Sequence, residues 1–127
     1  HSNRAILEAD HGNLEEARKA ARESLDLAES LGLLYGRTDA RRALAHVHWK
    51  AGEYTEAVSR CEEVLDLACG TESRVVRLWI GWTHVESLLA LGRTEDARVV
   101  LDDYAALVAE AQSGFLAGQV ERLRTLV

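Results

Sequence analysis

The residue types able to do chemistry in this chain are few, and their spacings decide what they can do. His84 and Glu86 stand two apart, the H-x-E spacing in which an imidazole holds zinc and a carboxylate moves protons. The Cys-x-x-Cys pair that would complete such a ligand set is absent, and one firm ligand does not hold zinc. His46 and His48 are also two apart, so on a helix they point to different sides and cannot share a metal by themselves. His48 leans toward the apolar side, as a core or edge histidine does. Cys61 takes the repeat place of Ala21 and Leu101 and reads as a small buried apolar residue. Cys69 lies near a helix end and is expected to be partly exposed. Neither has the neighbouring base or cation that would activate a thiol. No phosphate loop, nucleophile elbow or paired-carboxylate cleft is present. The chain is therefore not expected to be an enzyme, and no metal or cofactor is expected.

Composition narrows the remaining classes. Of 127 residues, 47% are hydrophobic and 28% charged, enough for a continuous core under a charged surface. Proline is absent and alanine, leucine, glutamate and arginine dominate, which favours helix throughout. A net charge of −6 argues against a nucleic-acid groove, which needs a clustered basic face. No apolar run approaches the roughly 20 residues that span a bilayer, and the start is polar, unlike a secretory signal. Two cysteines without a disulfide framework suggest a reducing, cytoplasmic setting. No methionine occurs, so the chain is expected to be a piece of a larger protein, with residues 1–127 forming one repeat domain.

The elements that position these residues follow a repeat. Gly12, Gly52 and Gly92 are spaced by 40 residues, since 52 − 12 and 92 − 52 agree. Each is followed by an acid and then an alanine in register, at Ala17, Ala57 and Ala97. The glycine is expected to close a helix in a left-handed conformation. Asn13 with Glu16 reads as a capping box, and Thr94 as a helix cap. The alanine falls where two helices cross closely. The acids Glu15, Glu16, Glu53, Glu56, Glu95 and Asp96 recur near helix starts, as capping and solubility require. Gly32, Gly70 and Gly114 punctuate the exits. Seven helices follow, at 2–11, 14–31, 34–51, 55–69, 73–91, 95–112 and 115–127. Ala40, Leu44, Val47 and Ala51 form one core stripe. Ala57, Cys61, Val64, Leu65 and Ala68 form a second, and Phe115, Leu116, Val120, Leu123 and Val127 a third. No helix pair can bury such stripes alone, so the fold class is all-α, a superhelix of stacked antiparallel hairpins.

The turn from Gly52 to Ala57 and the Leu-x-Leu-Ala endings at Leu25 to Ala28 and Leu65 to Ala68 resemble the tetratricopeptide repeat family. The usual repeat is shorter, its closing proline is missing here, and its first-helix aromatic signature is poorly kept. The long period and the Leu-Asp-Leu-Ala-Glu-Ser-Leu-Gly ending at Leu25 to Gly32 resemble the sensor arms of bacterial transcriptional regulators, the MalT-like members of the LuxR class and the AfsR-like proteins. The resemblance implies a protein or peptide partner, with no membrane or direct nucleic-acid contact, and first helices lining the concave face.

On those first helices a second stripe lies opposite the core. Arg42, His46 and Trp49 share it on one helix, and Trp79, Trp82 and Glu86 on the next. Aromatic walls bury apolar anchors while fixed charges set register, the mixture that a peptide groove needs. Trp79 and Trp82 are one turn apart and can frame a pocket. Tryptophans also plug gaps between helices, and Arg42 and Lys50 also suit a solvated face. The clamp by which some co-chaperones hold a terminal carboxylate is excluded, because Glu86 repels a carboxylate and the needed asparagines are missing. An architectural spacer, self-associating through its end repeats, is the alternative role.

Overall fold

A computed structural model describes the backbone of residues 2–32, 34–67, 72–111 and 114–127, and the side chains of 4–32, 38–67, 76–110 and 117–127. Among these residues there are seven helices and no strand. They are α1 (Ser2–Asp10), α2 (Leu14–Leu31), α3 (Leu34–Lys50), α4 (Tyr54–Leu67), α5 (Glu72–Ala90), α6 (Thr94–Ala111) and α7 (Gly114–Arg124). Their borders fall within three residues of those read from the sequence. The expectations for Ala68, Cys69 and Gly70 lie outside the described residues, as do those for the side chains of Phe115 and Leu116.

Three turns repeat in atomic detail. Gly12, Gly52 and Gly92 have φ of 81°, 78° and 76°, the left-handed region that an L side chain resists. At each, the glycine N–H bonds back to the residue three before it, and the next N–H reaches five residues back. The three longer bonds are Asn13 to Glu8 and Glu53 to His48, both 2.8 Å, and Arg93 to Leu88, 2.9 Å. This is a Schellman closure, which satisfies the last carbonyls of one helix with backbone donors. The following helix then begins with Ala17, Ala57 and Ala97 bonding back to residues 13, 53 and 93. All three alanines are fully buried.

The expected caps are corrected. The Asn13 side chain makes no cap bond. Its amide instead donates to Glu8 across the turn, at 2.8 Å. Thr94 is already the first residue of α6, so it sits inside the helix rather than at its cap. The turn has three residues, and Asn13 at its end has φ −86° and ψ 66° rather than the extended backbone from which a cap side chain folds back onto the new helix.

Helices pack in chain order, and the first helices also stack on one another, α1 on α3 and α3 on α5. Among the described residues, the second helices α2, α4 and α6 have no such direct packing. They meet through the first helices between them, which puts α1, α3 and α5 on the inside of the stack. Three apolar clusters fill the interior, each drawing on at least three helices. Ala40, Leu44 and Val47 are buried as the stripe predicts, with Ala51 half-buried at the helix end. Val120 and Leu123 seat α7 against α5 and α6.

Candidate functional site

Helical period places Trp79, Trp82 and Glu86 on one side of α5, and Gly81, His84 and Leu88 on the other. The first group faces the same way as Arg42, His46 and Trp49 of α3. The structure brings all six together and adds Lys50 from α3, Asp10 from α1 and Arg122 from α7. The result is a strip running across the first helices from α1 to α7.

At one end, Asp10 of α1 accepts from His46 Nε2 at 2.7 Å and lies 3.7 Å from Lys50 Nζ. The Lys50 ammonium stands 4.8 Å from the Trp49 ring centroid, and the His46 ring meets Trp49 edge-on at 5.4 Å. The Trp49 N–H donates to the Glu86 carboxylate of α5. Burial pushes the Glu86 pKa up, against Arg122, Lys50 and the Trp49 bond, which all favour its charge. Arg122 of α7 in turn covers Trp82 at 5.1 Å. Beside this line, Arg42 lies 5.0 Å over Trp79 and is bonded to Asp39 at 2.8 Å.

The three tryptophans thus each carry a cation on the ring, an arrangement worth about 0.5–2 kcal/mol apiece. Trp79 meets a cation from α3 and Trp82 one from α7. Trp82 also packs against the core, whereas Trp79 keeps 39% of its surface exposed. Packing and display are therefore divided among the rings. Asp10, Lys50 and Arg122 complete the strip. Lys50 continues the α3 stripe one turn beyond His46, whereas the helices of Asp10 and Arg122 carry no stripe that marks them, and only the stacking of α1 on α3 and the seating of α7 reveals those two.

The other candidates resolve into structure. His48 Nδ1 donates to Glu53 at 3.0 Å, and Arg18 bonds the same carboxylate oxygen at 2.9 Å. These two bonds lower the Glu53 pKa. Cys61 is buried, and loss of solvent raises its thiol pKa to about 12, so it stays protonated. His84 and Glu86 lie on opposite sides of α5, which rules out a shared ligand. Among the described residues no group of three or more metal-ligating side chains comes together, and no helix is long and apolar enough to cross a membrane.

Two segments of the chain match models of the tetratricopeptide repeat family, residues 37–71 and 78–103. The first runs from α3 through α4 and the second from α5 into α6, so each match covers one hairpin. No curated protein and no solved structure matches the chain.

Proposed function

Taking tetratricopeptide repeats as the family these hairpins support, and protein–protein interaction as the general work of such repeats, we propose that this chain binds a peptide segment or a neighbouring domain on its inner strip. The observation that carries the reading is continuity. Arg42, His46, Trp49, Trp79, Trp82 and Glu86, read as two separate stripes, join where Arg42 covers Trp79 and Trp49 bonds Glu86, and Asp10 and Arg122 extend the surface to α1 and α7. A bound segment can exchange its own contacts for the cations that now cover the rings. Charges fixed at known intervals then set its direction and register.

The test is a selection of peptides from a displayed library against the chain. Titration calorimetry of the winners against wild type, Trp49→Ala and Trp82→Ala follows. Loss of at least tenfold in affinity, with thermal melting still cooperative, is expected for each variant. Undiminished binding to both folded variants rules the strip out.

Within this reading, the parent we favour is a bacterial, cytoplasmic transcriptional regulator, with this chain as its sensor arm. The 40-residue period and the Leu25 to Gly32 ending support that choice. A helix-turn-helix or nucleotide-binding segment encoded beside this stretch in its gene would bear it out, and flanking regions of another class would remove it. A spacer role, with the stack extended by self-association, draws on the outermost helices: Leu7 of α1 and Leu126, just past α7, are 55% and 62% exposed. A constant monomer mass in light scattering across a wide concentration range excludes the self-association.

A further inference from the structure

A second surface lies on the far side of α5. Between α4 and α6, which are not among the closely packed helix pairs of the described residues, run two adjoining cavities of about 360 and 200 Å³. They share Leu65, His84, Val99 and Val100 as lining, so they form one groove with α5 as its floor.

The 40-residue register explains why the groove is open here. At the preceding gap, between α2 and α4, the position equivalent to Gly81 is Arg41. Its guanidinium spans the gap, bonded to Glu29 of α2 at 2.8 Å and to Glu63 of α4 at 3.1 Å. At Val58, Leu88 and Arg93 the preceding gap holds Arg18, His48 and Glu53, which are bonded to one another. One repeat later the cross-brace is a glycine and the ion-paired cluster is largely apolar. The glycine is fixed by its neighbour: a Cβ at position 81 would lie 2.2 Å from the Tyr104 ring.

Two features of the groove call for a ligand of particular chemistry. His84 lines the floor, only 5% exposed, and its ring has no hydrogen-bond partner among the described residues. The ring lines both cavities, so a partner that enters the groove can bond it. The charge is also one-sided. Four carboxylates line the groove against two guanidiniums. Arg93 and Arg77 are already bonded to Asp96 and Asp103, at 2.9 Å each. Glu62 and Asp66, one turn apart on α4, have no cation partner among the described residues. Val99 stands at the lip with 70% of its surface in solvent.

We propose that this groove is a second binding site, on the outer face, for a basic–aliphatic peptide segment. An aliphatic side chain enters over Gly81 against Val100 and Leu65, and a lysine or arginine engages Glu62 and Asp66. His84 bonds the backbone of the segment. Burial, with Arg93 nearby, lowers the His84 pKa to about 4, so the ring is neutral at pH 7 and does not repel a cation.

The test is a ¹H–¹⁵N titration at pH 7 with an end-capped hexapeptide of alternating lysine and leucine, beside the same peptide with glutamate for lysine. The lysine peptide should shift Gly81, His84 and Val99. Its affinity should fall at least tenfold in the Glu62→Lys/Asp66→Lys double variant. It should stay within twofold in Glu23→Lys/Asp26→Lys, which makes the same change of net charge on α2. All four positions are exposed, so both variants should fold. The proposal is overturned if no shifts appear up to millimolar peptide, if the glutamate peptide binds as well, or if both double variants lose affinity equally. It also fails if the shifts centre on the indoles of Trp49 and Trp82. Groove shifts that follow protein concentration without peptide would assign the surface to a second copy of the chain instead.

Discussion

His84 takes the repeat position of Leu44, and its cost is set by pH. In the unfolded chain it gains a proton near pH 6.5, but in the fold only near pH 4, because burial opposes the charged ring. Between those values the unfolded state binds more protons, so stability falls as pH drops through the window and the loss is complete below it. The whole effect is on the order of 3 kcal/mol. Replacing His84 with leucine should flatten the stability of the protein between pH 6.5 and 4, measured by urea unfolding at several pH values. An unchanged pH slope would place the acid sensitivity elsewhere. The burial of His84 follows from the 40-residue register, which sets it at the place of the core residue Leu44, but the groove beside it was not legible, because nothing local to α5 shows how α4 and α6 stand. The pairing of Arg41 with Gly81 was available to a comparison at 40-residue spacing. Its meaning required the ion pairs that Arg41 makes across the gap.

At the scale of elements, the glycines spoke more plainly than the caps. A positive φ is a demand on one residue, so three glycines in register fix three turns. Caps depend on which partners remain free, and here the Asn13 N–H is taken by the Schellman closure and its side chain by Glu8. The consequence is a contrast between two adjacent places in the repeated turn, tested in two of its copies. Gly52→Ala should destabilise by about 1–2 kcal/mol, the cost of a left-handed alanine. Asn13→Ala should cost under about 0.5 kcal/mol, since it loses only an exposed bond to Glu8. Thermal denaturation of the two variants decides this. A larger loss at Asn13 would restore the capping box. The inner strip was half legible for a related reason. Spacing along α3 and α5 located six of its residues, and Lys50 sits one turn past His46 on α3, whereas Asp10 and Arg122 join it through helix stacking, and periodicity within one helix carries no such information.

Across the whole molecule, each helix depends on its immediate neighbours for burial. Stability in such a stack is a sum of unit and interface terms, and in these 127 residues taken alone the outermost helices have one interface fewer. Amide exchange followed by mass spectrometry should therefore show α1 and α7 opening well before α3 and α5. Uniform exchange across the seven helices would mean a single cooperative unit. The same architecture has a mechanical side. The inner helices form a packed hinge line, while the outer ones are joined across each gap only by what their side chains supply. At the first gap that is the charged strut from Glu29 through Arg41 to Glu63. At the second, Gly81 supplies nothing. Under a load that bends the stack, the first gap is a stiff joint and the second a compliant one. A partner tugging on either end would feel the elasticity of α4 against α6 before that of α2 against α4.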